Sequence, residues 1–216
     1  MLLRMRDVSK NLGPERILQG ISCALDRGQS LAIVAPSGVG KSTLLSIAGL
    51  LLVPSAGDVV IDDRETACQD DNERSHLRAT KIGFLFQHTQ LIGSLRAIEN
   101  VIVPARFAPT ATQKLSKIEI AERAKKSLTA LGLEDRLYHY PHQLSVGQKR
   151  RVATARALFL CPALIIADEP TNDLDDANAH TVVEALFRRV RSGDAGLLFA
   201  THEKRLAKQA DTILYL

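Results

Sequence analysis

At 216 residues, 45% hydrophobic and 24% charged, the chain has the make-up of a globular protein with one core, or one core carrying an inserted lobe, which excludes fibrous and disordered classes. The formal charge of +4 comes from 28 basic and 24 acidic residues running through the same segments, so nucleic acid is not an expected partner, and the densest basic run, Lys149, Arg150 and Arg151 followed by Arg156, reads as a solvated helix face. Three cysteines, Cys23, Cys68 and Cys161, lack CxxC spacing or a histidine cluster, so they suggest neither a disulfide framework nor a zinc site and fit a reducing cytosol.

The first seven residues carry no apolar run of the kind a signal peptide needs. The longest apolar stretch, residues 44–53, is interrupted by Ser46 and Gly49 and falls far short of the roughly 20 residues that span a bilayer. Any link to a membrane is therefore expected to run through a partner.

In chain order, residues 30–34 read as a buried strand, followed by a Pro/Ser/Gly turn and a helical segment over 42–49. Residues 59–61 and 82–86 read as further strands. Residues 164–167 and 197–200 are two more, each running into polar residues at its C-terminal end, the edge where open α/β sheets bind ligands. Short apolar runs alternating with helices predict an α/β fold with a mainly parallel sheet. Between about 87 and 158 the pattern turns helical. There Ile118, Ala121, Ala124, Lys125, Leu128 and Leu131 include a stripe at i, i+3, i+7, i+10 spacing and Gly132 reads as a helix stop, so this stretch is expected to be a helical lobe inserted in the core.

The loop after the first of these strands, Ala35-Pro36-Ser37-Gly38-Val39-Gly40-Lys41-Ser42-Thr43, carries the strongest chemistry. Successive N–H groups of residues 37–43 can wrap a polyphosphate at a helix N-terminus, Lys41 can reach the terminal phosphates, and the Ser42 hydroxyl can bind Mg²⁺. The segment departs from the P-loop pattern at Ala35, where glycine is usual, a change that costs only if the backbone there needs a positive φ. Downstream, Asp168 and Glu169 put two carboxylates at the tip of a buried strand, where ionised groups require partners. Asp168 is expected to hold Mg²⁺ and Glu169 to polarise the attacking water.

Leu144-Ser145-Val146-Gly147-Gln148 then provides a good helix N-cap at Ser145 and a close-approach glycine at Gly147, a second candidate anion site. With the other motifs in this order, essentially the whole chain resembles the nucleotide-binding subunits of ABC transporters, and this segment resembles their LSGGQ signature except at Val146. The resemblance implies a P-loop NTPase core (1–86 and 159–216) with an N-terminal antiparallel β portion, and a helical lobe (87–158) bearing the signature. It assigns Gln87 to a loop that senses Mg²⁺ and the permease, residues 172–175 to a loop linking two active sites, and His202 to the γ-phosphate.

It further implies ATP and Mg²⁺ as ligands, a homodimer (or heterodimer) in which Ser145, Gly147 and Gln148 face the partner's nucleotide, and a separate integral membrane permease at the cytoplasmic face of the inner membrane. Residues 88–107 would form the permease groove, and Leu12 stands where the family usually stacks an aromatic residue on adenine. The segments around Gln87 and Leu95 look most like the lipoprotein-release, macrolide-efflux and cell-division branch. A soluble ABC ATPase of DNA repair or translation, and a P-loop small-molecule kinase, remain the alternatives.

Overall fold

The computed structural model describes residues 1–36, 38–108, 112 and 115–216. Ser37, one of the expected phosphate-binding residues, lies outside the described residues. Two sheets form the core. Strands β1 (Leu3–Leu12), β2 (Glu15–Leu25), β4 (Ala56–Ile61) and β5 (Arg64–Glu65) make an antiparallel sheet in the order β2-β1-β4-β5. Strands β3 (Ser30–Val34), β6 (Ile82–Leu85), β7 (Leu164–Asp168), β8 (Gly196–Thr201) and β9 (Thr212–Tyr215) make a parallel one in the order β6-β7-β8-β3-β9.

The central strands β7 and β8 are buried along their entire length, which is why they read as unbroken apolar runs. β3 enters α1 (Lys41–Ala48) through the phosphate loop. Because β3, β7 and β8 are parallel, the segments that follow them emerge on one sheet edge, and this is what gathers Lys41, Asp168, Glu169 and His202.

Helix α2 (Asp71–Lys81) precedes β6 and is closed by a capping box between Asp70 and Glu73. Helices α3 (Ala97–Phe107), α4 (Lys117–Thr129) and α5 (Val146–Leu158) come next. They share a separate cluster of buried side chains that includes Val101, Leu128, Val152 and Phe159. The chain then returns through β7, α6 (Asp176–Arg191), β8 and the short α7 (Lys204–Ala207).

Two expectations need correction. The buried face of α4 runs through Ala124 and Leu128 with Ile120 packed against them, whereas Ile118 is 77% exposed; the stripe begins at Ile120, since Ile118, six residues before Ala124, points about 120° away from the face that Ile120, Ala124 and Leu128 share. The basic run of α5 is not a solvated face either, because Arg150 is only 2% exposed.

Candidate nucleotide site

The phosphate loop owes its shape to glycine. Gly40, the N-cap of α1, has φ 103°, and a Cβ there would come within 2.9 Å of Leu18 and 3.0 Å of Ile17 on β2. Gly38 also has a positive φ, a conformation that turns successive N–H groups toward one side, as in an anion-binding nest. Ala35 is buried and is not among the residues with positive φ, so its replacement of glycine carries no backbone strain.

A cavity of about 300 Å³ opens beside this loop, lined by Gly38, Gly40, Lys41, Ser42, Thr43, Gln87, Asp168 and Glu169 together with Ile17. Eight expected site residues thus meet in one place. Val39 lies in the same loop, exposed and away from the lining.

Within the cavity Lys41 Nζ donates to the carbonyls of Ala35 (2.8 Å) and Pro36 (3.1 Å) and stands 3.5 Å from Glu169 Oε1. The other carboxylate oxygen, Glu169 Oε2, lies 2.9 Å from His202 Nδ1 and accepts from the His202 N–H at 3.3 Å. Glu169 is therefore held between a cation and an imidazole. Its own φ is 45°, an unfavourable conformation for a side-chain-bearing residue that persists only where surroundings enforce it, commonly at functional sites. Here the N–H of Glu169 donates to Ala200 O at 3.0 Å, extending the β7–β8 pairing past the bend. The sequence reading missed a nearby latch, in which Thr171 Oγ1 donates to Glu203 Oε1 at 2.5 Å and so fixes the residue following His202.

Asp168 offers a metal ion a buried oxygen. Its Oδ1 is buried without a hydrogen-bond partner among the described residues, while Ser42 hydrogen-bonds the carboxyl. A hydroxyl and a carboxylate with a free, buried oxygen suit Mg²⁺, a hard cation that takes oxygen ligands. Burial, with a smaller contribution from the negative charge of Glu169, raises the Asp168 pKa; Ser42, Lys41 and Arg150 oppose the shift.

A carboxyl whose folded pKa is raised costs stability above the unfolded pKa and none well below it. Asp168→Asn is expected to raise the melting temperature of the nucleotide-free protein at neutral pH, with the difference vanishing as pH falls through the ordinary carboxylate range, and to abolish any further stabilisation by Mg²⁺ with ATP. Thermal melts across pH check both.

The signature residues lie elsewhere. Ser145 caps α5, accepting from the Gln148 N–H at 3.2 Å, while the Gln148 side chain accepts from the Ser145 N–H at 2.9 Å. Gln148 is thereby committed to holding Ser145. Gly147 is buried, and Asn178 packs so closely on it that a Cβ there would meet that side chain at 2.9 Å. Asn178 in turn donates to Asp175, the N-cap of α6, through its N–H (2.8 Å) and its Nδ2 (2.6 Å). Ser145, Gly147 and Gln148 do not line the cavity that holds Lys41 and Glu169.

Residues 18–172 match the family model described as ABC transporter. The chain belongs to the ABC transporter family. As a member it is an ATP-binding, ATP-hydrolysing subunit of a transport system, an α/β protein with one parallel and one antiparallel sheet.

Among curated relatives, the lipoprotein-releasing system ATP-binding protein LolD of Nitrobacter hamburgensis is 45% identical over 90% of this chain and 82% of its own length. The LolD of Bacteroides thetaiotaomicron is 39% identical over 100% of this chain and 96% of its own. Of solved structures, the ATP-binding cassette MJ0796, described as a dimer in a post-hydrolysis state bound to ADP and Pi, superposes with a TM-score of 0.91 at 36% identity, covering 100% of this ABC chain and 94% of that one.

Proposed function

We propose that the chain is the ATPase motor of a lipoprotein-releasing ABC complex, peripheral to the cytoplasmic face of the inner membrane and attached there through a permease. The observation that carries the catalytic part is the meeting of Lys41, Ser42, Gln87, Asp168 and Glu169 in one cavity with His202 at its rim; the branch rests on its resemblance to the LolD proteins.

In this reading the N–H groups of residues 37–43 and the Lys41 ammonium bind the phosphates of ATP, and Ser42, Asp168 and Gln87 hold Mg²⁺. The metal neutralises charge developing on the phosphate oxygens. Glu169 orients water and accepts its proton, and His202, hydrogen-bonded to Glu169, contacts the γ-phosphate. Ser145 and Gly147 serve the site of a second copy, so each nucleotide is sandwiched between two chains, most simply as a homodimer. Residues 1–86 and 159–216 act as the catalytic core and 87–158 as the lobe that presents the signature.

A groove of about 390 Å³ between core and lobe, lined by Leu51, Phe84, Phe86, Val103, Pro104 and Phe107 among others, suits an apolar permease segment. Phe107, 72% exposed at this groove, is the side chain to test. Phe107→Glu is expected to leave the ATPase rate of the isolated chain unchanged while lowering permease-stimulated turnover at least about tenfold, as loss of a buried aromatic anchor does. Equal stimulation of the variant and wild type by the permease reconstituted in vesicles would refute the docking site.

Leu12 is 50% exposed at the β1–β2 turn. A leucine packs against a base but lacks an aromatic face, so GTP is expected to bind within about tenfold of ATP, and Leu12→Tyr to tighten both by about 5- to 100-fold, base stacking on an aromatic ring being worth about 1–3 kcal/mol. Titration with each nucleotide decides this, and a preference for ATP of several orders of magnitude would contradict it.

A further inference from the structure

The basic residues of α5 turn out to grip the main chain beside Gln87. Arg150 Nη1 donates to Phe86 O at 2.7 Å and its Nη2 to Gln87 O at 2.6 Å. Six residues later, Arg156 Nη1 donates to Gln90 O and its Nη2 to Thr89 O, both at 2.8 Å. Two planar forks thus take the carbonyls of Phe86, Gln87, Thr89 and Gln90, leaving out only His88. A guanidinium is suited to such paired oxygens, whereas an ammonium is a point charge without the fork.

Burial lowers the pKa of both side chains, and the charges of Asp173 and Asp168 oppose that shift at Arg150. Arg150 thus stands as a buried cation bound to the Gln87 backbone, in the field of Asp168, which lines the nucleotide cavity, and of Asp173. A buried cation is costly to desolvate, and taking it away strands the acceptors it serves. Its Nε has no hydrogen-bond partner among the described residues, so complete polar satisfaction is not what this position provides.

We infer that Arg150 is a positioning residue that, with Arg156, clamps residues 86–90 onto the signature helix, fixing Gln87 relative to the Mg²⁺ position and making the groove residue Phe86, Gln87 and Ser145 move as one body. The physical path is short. Phe86 lines the groove, its carbonyl and that of Gln87 are held by Arg150, and α5 runs from Arg150 back to its N-cap Ser145. A displacement at the groove therefore reaches both the metal side of one nucleotide site and the residue that α5 presents to the second copy.

This inference rests on the assignment of Gln87 to Mg²⁺, so the test is a double-mutant cycle on the full chain with Gln87→Ala and Arg150→Met. Each variant is measured for melting temperature without nucleotide, for affinity toward a fluorescent ATP analogue in EDTA, and for the Mg²⁺ concentration that half-saturates the Mg²⁺-dependent gain in that affinity. Arg150→Met, which loses two charge-assisted hydrogen bonds, is expected to melt several degrees below wild type and yet to bind nucleotide normally in EDTA. It should need about tenfold more Mg²⁺, as Gln87→Ala does, with the double variant no worse than either single one, because coupled residues are not additive.

Arg150→Lys should show the same defect in milder form, and it carries the cycle if Arg150→Met fails to fold. Additive shifts, or an unchanged Mg²⁺ requirement in the Arg150 variants, would overturn the inference. So would a loss of EDTA-resistant binding in step with a lowered melting temperature, the mark of a merely structural role. An unchanged Mg²⁺ requirement in Gln87→Ala would instead remove the Gln87 assignment itself, and the inference with it.

Discussion

Lys41→Ala is expected to weaken nucleotide affinity by about 10- to 100-fold, the equivalent of one or two charge-assisted hydrogen bonds to phosphate, and to reduce turnover at least as much. The ammonium is buried and already aimed into the cavity, tethered to its own loop carbonyls at 2.8 and 3.1 Å. Binding of the terminal phosphates replaces those tethers rather than recruiting a mobile side chain, so little side-chain entropy is lost. Removing the ammonium also leaves Glu169 without the cation 3.5 Å away. That carboxylate then repels the incoming phosphates unopposed. Calorimetric titration with ATP and a phosphate-release assay read the two effects separately; turnover unchanged from wild type would show that the loop does not hold the phosphates.

Glu169→Gln is expected to slow hydrolysis by roughly 10² or more while nucleotide still binds, in line with the contribution of a positioned general base. The amide is close in size to the carboxylate and can keep a hydrogen bond to His202, which lies 2.9 Å from the carboxylate oxygen. It cannot accept the proton of the attacking water. Because the substitution also removes a negative charge from a buried position beside the phosphates, ATP affinity should hold or rise. Single-turnover kinetics with excess protein isolate the chemical step, and a normal rate there would remove Glu169 from the role of base.

The residues that meet in the cavity are legible because their neighbours in sequence are also their neighbours in space. Gly38 through Thr43 form one turn into one helix, and Asp168 with Glu169 sit on one strand tip, so short motifs held the geometry. The parallel run of β3, β7 and β8 was legible too, since strands buried on both faces leave continuous apolar segments.

Other elements hid for identifiable reasons. In β1 the burial alternation breaks after Met5, where Asp7 takes a φ of 48° and the register to β2 shifts, so no period of two survives along its length. Helix α2 buries Leu77 alone and offers no apolar stripe; its capping box was the available signal. Helix α6 buries Val182, Leu186 and Val190 at intervals of four, a stripe that had been open to reading. Arg150 illustrates a deeper limit. Helix α5 buries Gly147, Arg150, Val152, Ala153, Thr154, Ala155 and Ala157, so it has no single polar face. Whether a basic residue on such a helix meets water or a backbone carbonyl depends on residues 86–90, more than sixty positions away.

The central claim is that a complete site needs two chains, with Lys41 and Glu169 from one and Ser145 from the other. The most direct measurement is the molar mass of Glu169→Gln by light scattering in saturating nucleotide. The account predicts twice the mass of a single chain in MgATP and a single chain in MgADP. Adding Ser145→Arg to the same chain should leave nucleotide binding intact and return the mass in MgATP to that of a single chain. A Glu169→Gln protein that stays monomeric in saturating MgATP, alone and in complex with its permease partner, or that dimerises equally in MgADP, would contradict it.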